Sequence, residues 1–197
     1  TEQATHIVRH DPAGVVAIIT PWNAPLMLAT WKLGPALAAG NCVIAKPPEW
    51  APLTSSLLAD CAHAAGLPPG VFNIVQGAGA STGARLVSDP RLARISFTGS
   101  VPTAKWIAQS AGANLVPCSL ELGGKSAFIV LEDADIDNAA ATGALMYRNA
   151  GQVCMAGTRF LVHHQVRDAF VAAMRSYVEK LHIGDPRDTA TAVRYPQ

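Results

Sequence analysis

Cys154 lies in the run Gly151-Gln152-Val153-Cys154-Met155-Ala156-Gly157-Thr158-Arg159, among small, turn-forming residues that can leave a thiol exposed. Upstream, Glu121-Leu122-Gly123-Gly124-Lys125 sets a carboxylate beside two glycines where an apolar segment ends. A thiol nucleophile and a general base are the implied pair. A carboxylate after an apolar strand is costly to bury without a partner, so a structural ion pair with Lys125 is the other reading of Glu121. Pro21-Trp22-Asn23 adds a side-chain amide that can donate to a developing oxyanion. A turn asparagine that bonds its own backbone fits the same three residues.

Three further runs suit a bound nucleotide. Lys46-Pro47-Pro48-Glu49 places opposite charges at a strand end, where they can hold ribose hydroxyls while Glu49 repels a 2′-phosphate. The alternative is a solvated pair flanking a proline turn. Gly77-Ala78-Gly79-Ala80-Ser81-Thr82-Gly83 has the spacing G-x-G-x-x-x-G, looser than the dinucleotide fingerprint. Phe97-Thr98-Gly99-Ser100 is a strand-to-helix junction whose backbone amides can receive a pyrophosphate. Either loop, taken alone, also fits a flexible turn.

Cys42, Cys61 and Cys118 fall in or beside apolar patterns and are expected to behave as small, inert hydrophobes. No C-x-x-C spacing occurs, and neither His63 nor His163-His164 has a partner at metal-ligand intervals. No metal site is predicted.

The elements that must carry these residues alternate. β-Branched runs at 15–20, 42–45, 71–75, 94–98 and 114–121 read as strands, and 25–39, 52–65, 81–88 and 102–111 as helices. Strands separated by helical stretches pair in parallel, because parallel strands need crossover connections. The expected fold is therefore α/β, a doubly wound parallel sheet of nucleotide-binding type. A boundary is expected at 122–125. Beyond it a strand at 126–131, a helix at 135–147, a strand at 159–163 and a helix at 166–181 suggest part of a second α/β domain with an incomplete sheet. Asp133 and Asp135 suit the start of its first helix.

The bulk composition agrees. Half of the 197 residues are hydrophobic, 15% are charged and the net charge is +1. Such a chain can bury a core, and it carries no basic footprint for nucleic acid. No uncharged apolar stretch reaches the roughly 18 residues of a membrane span. No signal-peptide pattern opens the chain, and the scattered cysteines point to a reducing, cytoplasmic setting.

In their order and approximate spacing, Pro21-Trp22-Asn23, Lys46-Pro47-Pro48-Glu49, Phe97-Thr98-Gly99-Ser100, Glu121-Leu122-Gly123-Gly124-Lys125 and Gly151-Gln152-Val153-Cys154 resemble the aldehyde dehydrogenase superfamily. The resemblance covers nearly the whole chain. It implies Cys154 as nucleophile, Asn23 with the Cys154 amide as oxyanion hole, and Glu121 as general base. It implies Lys46 and Glu49 as the ribose pair, Ser100 as a pyrophosphate contact and Trp22 as a wall near the cofactor. Gly79, Gly83, Phe97, Thr98, Gly99 and Leu122 complete the implied cofactor set. NAD is implied in preference to NADP, with a small aldehyde as substrate and a homo-oligomer for the full-length protein.

Residues 1–122 are then an NAD-binding domain of Rossmann-like type lacking the family's N-terminal part, and 123–197 an incomplete catalytic domain. The stretch 12–76 looks most like members that oxidise semialdehydes from aromatic-ring cleavage, the 5-carboxymethyl-2-hydroxymuconate semialdehyde dehydrogenase type. Ala104 stands where many members have a glycine. The family's Glu-x-Phe-Gly-Pro segment is missing, and residues 191–197 depart from its pattern, so the chain is expected to be a fragment. Two other readings stay open: a non-catalytic nucleotide-binding or interaction module, and a thiol acyltransferase or esterase using Cys154 and Glu121 without a redox step.

Overall fold

The computed structural model describes residues 6–185, 187–188 and 193–194. It divides into two compact units, Thr1–Leu122 and Gly123–Gln197. Apart from residues 193 and 194, the divergent tail lies outside the described residues.

The first unit is a repeating strand-helix chain: β1 (Val15–Ile19), α1 (Pro25–Ala38), β2 (Cys42–Lys46), α2 (Leu53–Ala64), β3 (Phe72–Ile74), α3 (Ala84–Val87), β4 (Arg94–Gly99), α4 (Val101–Gly112) and β5 (Cys118–Leu122). All five strands are parallel, in the order β3-β2-β1-β4-β5. This is the doubly wound α/β sheet that the alternation implies. The order reverses direction between β1 and β4. Connections leave those two strands towards opposite sides, which opens a crevice at their carboxyl ends.

Alternation along β1 divides the core. Ala17 packs with Ile95, Phe97, Ala104, Ile107 and Ala111 on the α4 side. Val16 and Ile18 pack with Leu33, Val43 and Ala45 on the α1 side. Strands buried on both faces explain the near-continuous apolar runs. Ala104 is among the most buried residues of α4.

Helix ends follow local chemistry. α1 opens with Pro25, whose missing N–H costs nothing in a first turn. It closes on Gly40 at φ +79°, with Gly40 N–H donating to Leu37 O and Asn41 N–H to Ala36 O, so a left-handed residue satisfies the last carbonyls. α4 closes in the same way on Leu115, at φ +54°, with Val116 N–H donating to Ala111 O. For that reason the strand expected at 114–121 begins only at Cys118. The helix expected at 81–88 also differs, because residues Gly79–Gly83 form a wide π-helical turn and only Ala84–Val87 is α-helical. There the N–H groups of Ser81, Thr82 and Gly83 converge on Ala78 O.

The second unit contains β6 (Ala127–Val130), α5 (Ile136–Ala144), β7 (Arg159–Val162), α6 (Arg167–Val178), β8 (Ile183–Gly184) and β9 (Val193–Arg194). β6 pairs with β7 in parallel, as β8 does with β9. Val130, Ala140 and Phe170 form its core, bordered by Phe128 and Phe160. The rings of Phe128, Phe160 and Phe170 follow one another at 5.2 and 5.6 Å. Asp135 caps α5 by accepting from Asn138 N–H at 3.1 Å. The helix expected at 135–147 stops at Ala144, and the 3-10 turn that follows from Leu145 breaks at Arg148, Asn149 and Ala150, whose backbone is not helical.

Candidate active site and cofactor cleft

Parallel strands bring their carboxyl ends to one edge, and a cavity of about 340 Å³ sits there in the first unit. β1 contributes Ile19 and the following Thr20, Pro21 and Trp22. β2 contributes Lys46, with Pro48 and Glu49 after it, and β4 contributes Phe97, Thr98 and Gly99 ahead of Ser100. Gly79 and Gly83 close it from the π turn, and Thr103, Trp106 and Ile107 from α4. Nine residues expected to bind a cofactor, Trp22, Lys46, Glu49, Gly79, Gly83, Phe97, Thr98, Gly99 and Ser100, thus share one cavity. A larger cavity of about 660 Å³ opens instead near Val15, Arg91 and Leu92, at the amino ends of β1 and β4. Its lining mixes apolar side chains with Ser81, Thr82, Arg85, Asp89 and Arg91, and none of those nine residues borders it.

Lys46 is almost wholly buried. Its Nζ donates to Pro47 O at 2.9 Å and lies 3.6 Å from the Glu49 carboxylate. The same carboxylate accepts the Gly79 N–H, tying the β2 end to the π turn. Hydrogen bonding to backbone N–H, foremost its own, holds the Glu49 carboxyl below the usual carboxylate range, with Lys46 adding to the effect. Glu49 is therefore ionised at neutral pH. A Cβ on Gly77, at φ +135°, would meet Thr82 Oγ1 at 2.1 Å, so the start of this loop requires glycine.

The fit to a dinucleotide can be tested on the cavity itself. Thr98 lines it, and its Oγ1 is buried without a hydrogen-bond partner on the β4 face that also carries Ser96. The Ser100 hydroxyl and the Lys46 and Glu49 charges border the cavity. The anion-binding end is leaner than the sequence implies. Ser100 Oγ caps α4 by accepting Thr103 N–H at 3.4 Å, and Pro102 has no N–H. An anion at this terminus has the Ser100 hydroxyl and the Val101 N–H, rather than a full ring of amides. Hydroxyl, ammonium, carboxylate and helix terminus around one cleft nevertheless match ribose and phosphate.

Asn23 is half-buried in the bend that leads into α1. Glu121 is exposed on β5, in register with Thr98 of β4, and Leu122 is in register with Gly99 and packs against the α4-side core. Lys32, which sequence reasoning missed, reaches from α1 to donate to Ser96 Oγ at 2.8 Å. Burial lowers its pKa, and the Glu121 charge acts in the opposite direction. Its signal was a lone lysine between Trp31 and Leu33 in an otherwise apolar helix. Arg94 Nη2 donates to Ser119 Oγ at 2.9 Å on the same face of the sheet.

Cys154 belongs to the second unit and is exposed. Its turn follows Asn149, Ala150 and Gly151, three successive residues in left-handed conformation at φ +52°, +54° and +75°. The Gln152 side chain and N–H both donate to Asn149 O at 3.0 Å, and Ala156 N–H donates to Val153 O at 3.1 Å. Two non-glycine residues held left-handed store strain immediately before the thiol. At Gly157 a Cβ would stand 2.9 Å from that of Phe128, so glycine lets the turn approach β6. Cys42 and Cys118 are partly buried, and burial pushes the Cys118 thiol pKa up. Cys61 departs from expectation. It is exposed on α2, whose only buried residue is Ser55, so it does not pack as a small hydrophobe.

Among the described residues, no group of three or more His, Cys, Asp or Glu is placed to hold a metal ion, and no helix is long and apolar enough to cross a membrane.

The fold and the cleft define a nucleotide-binding α/β protein, and comparison with known proteins specifies it. The pattern of the aldehyde dehydrogenase family matches residues 1–194, and the chain belongs to that family. It is 48% identical over 187 residues to betaine aldehyde dehydrogenase 2 of Rhizobium meliloti (strain 1021), covering 94% of this chain and 38% of that protein. It is 47% identical over 179 residues to 2-hydroxymuconic semialdehyde dehydrogenase of Pseudomonas putida, covering 90% and 37%. An aldehyde dehydrogenase C mutant from Pseudomonas syringae, solved with NAD+ and octanal, superposes with a TM-score of 0.90 at 38% identity, over 98% of this chain and 41% of that one. An E. coli enzyme described as NADP dependent gives 0.88 at 42%, over 93% and 38%. The chain thus spans under half the length of these relatives.

Proposed function

We propose that this chain carries the cofactor cleft and the nucleophile of an enzyme that oxidises an aldehyde to a carboxylic acid with NAD. The supporting observation is the cleft at the β1/β4 reversal, where Lys46 and Glu49 stand beside Gly79, Phe97, Gly99 and Ser100. In this reading residues 1–122 bind the dinucleotide and 123–197 supply Cys154.

The Cys154 thiolate adds to the aldehyde carbon, and the carbonyl π pair moves to oxygen. Asn23 Nδ2 and the Cys154 N–H donate to that oxyanion. The bound cofactor supplies the acceptor for the hydride that leaves the tetrahedral carbon, and a thioester on Cys154 remains. Glu121 takes a proton from water as the water oxygen attacks the thioester, releasing the acid and the thiolate. Lys46 and Glu49 hold a ribose, and the Glu49 charge disfavours a 2′-phosphate. The similarity to a 2-hydroxymuconic semialdehyde dehydrogenase supports a semialdehyde from aromatic catabolism as substrate.

The test is NADH formation at 340 nm from such a semialdehyde, together with titration of NAD. Cys154→Ala abolishes turnover and keeps NAD binding. Asn23→Ala lowers kcat about 10²- to 10³-fold. A protein that binds no NAD, or a Cys154→Ala variant that still reduces it, refutes the proposal. Ester hydrolysis indifferent to NAD would favour a non-redox thiol enzyme.

A further inference from the structure

Two contacts of the Cys154 turn differ in firmness. Its exit is fixed on β6, because Gly157 lets the chain approach Phe128. The Cys154 carbonyl lies instead beside the link between β5 and β6, where a Cβ built on Gly124 would stand 3.9 Å from Cys154 O. That link, Gly123-Gly124-Lys125, is exposed, and its two glycines bring wide backbone freedom and no side chain to hold it. Arg159, which opens β7, takes hold of it. Its N–H donates to Ser126 O at 3.3 Å, and its Nε donates to Lys125 O at 2.7 Å. One residue thus binds two successive carbonyls, which carries the β6–β7 pairing past Ala127, its register partner. A guanidinium N–H on a carbonyl at 2.7 Å is a charge-assisted bond, roughly twice as strong as a neutral one.

Resting on the reading that Cys154 is the nucleophile, we propose that Arg159 is a positioning residue for that thiol. Its guanidinium fixes the 123–125 segment, and the fixed segment backs the Cys154 main chain. The residue so ordered carries both the sulfur and the N–H that meets the oxyanion, so the bond acts on the reacting geometry and leaves cofactor binding alone. A misplacement of about 1 Å in such a geometry can cost about 100-fold in rate. Cys154 is exposed, so a small diffusing reagent reaches it whether or not the turn is held in register.

Two substitutions in the intact protein test this. Arg159→Met keeps the stem and loses the donor, and Arg159→Lys restores an N–H donor of similar reach. Arg159→Met lowers kcat for NADH formation about 10- to 100-fold and leaves the NAD dissociation constant unchanged. Iodoacetamide labels Cys154 of that variant at the wild-type rate, and half-buried Cys42 and Cys118 stay slower than exposed Cys61. Arg159→Lys recovers most of kcat. The proposal is overturned if Arg159→Met keeps the wild-type kcat, if it loses NAD affinity as well, if Cys154 labelling slows in step with kcat, or if Arg159→Lys is as slow as Arg159→Met. It is also overturned if Cys42 and Cys118 become as reactive as Cys61, which would make Arg159 a support of the fold. A wild type that forms no NADH, or whose Cys154→Ala variant still forms it, sinks the nucleophile reading itself, whereas an active wild type with Arg159→Met unaffected sinks only the role of Arg159.

Discussion

Glu49→Gln removes one charge and almost no volume, so it isolates what the carboxylate contributes to cofactor choice. The side chain is 47% exposed, accepts the Gly79 N–H and lies 3.6 Å from Lys46 Nζ. Two unit charges 4 Å apart interact by about 1 kcal/mol in water and about 4 kcal/mol at an effective dielectric of 20. A half-exposed carboxylate belongs near the lower figure. With between one and two charges on a 2′-phosphate, repulsion amounts to about 1–2 kcal/mol, or roughly 5- to 30-fold in affinity. Hydrogen bonds from ribose hydroxyls to a charged acceptor are worth about 1.5–3 kcal/mol, and glutamine keeps part of this. The variant should therefore bind NAD about tenfold more weakly and NADP about tenfold more tightly, moving the ratio of the two dissociation constants about 100-fold. Calorimetric titration with both cofactors at low and high salt measures it, and the NADP penalty of the wild type should shrink with salt. Because the Glu49 pKa lies below the usual range, its carboxylate stays charged as pH falls through 4.5, so any weakening of an NAD preference above that pH should follow protonation of the 2′-phosphate at about pH 6. A ratio unchanged within twofold, with binding intact, refutes the reasoning.

Alkylation followed by mass spectrometry should label exposed Cys154 and Cys61 ahead of half-buried Cys42 and Cys118, and labelling in the reverse order contradicts the structure. Lys32 has a folded-state pKa lowered by burial, so the unfolded chain binds its proton more tightly, and stability due to Lys32 rises as pH climbs towards 10.5. Urea midpoints between pH 7 and 10.5 should show that rise in the wild type and not in Lys32→Met, and identical profiles refute it. Gly157→Ala sets a methyl group 2.9 Å from Phe128 Cβ and disturbs the Phe128–Phe160 contact, costing about 1–3 kcal/mol in urea unfolding. An unchanged midpoint would mean that the turn yields freely.

The sheet was legible because periodicity reports it, with β-branched runs spaced by helical stretches allowing little but parallel pairing. The gathering of Trp22, Lys46, Glu49 and Ser100 was legible for the same reason, since parallel strands deliver every carboxyl end to one edge. What stayed hidden depends on which face of a helix meets the core. Cys61 sits between alanines and aspartate in an apolar stretch, yet α2 turns it outward. Leu115 carries no mark of a helix terminator, yet it is left-handed and 90% exposed, held by local bonds from Leu115 N–H to Gly112 O and from Val116 N–H to Ala111 O. Lys32 gains its role only from α1 lying across β4, where it reaches Ser96.

Lys46 poses the sharpest question about what the cleft is for. An ammonium that is 4% exposed is expensive to bury, and here one carbonyl at 2.9 Å and a carboxylate at 3.6 Å offset that cost incompletely, since Nζ has three N–H donors. A fold optimised for stability alone would favour an apolar side chain of that length. Lys46→Met should therefore unfold at the same or higher urea concentration than the wild type when no cofactor is added. With NAD at 100 times the wild-type dissociation constant, the wild type gains about 2.7 kcal/mol and the variant gains almost nothing. If Lys46→Met is instead destabilised without NAD and still responds to it, the lysine serves the fold, and the ribose role falls.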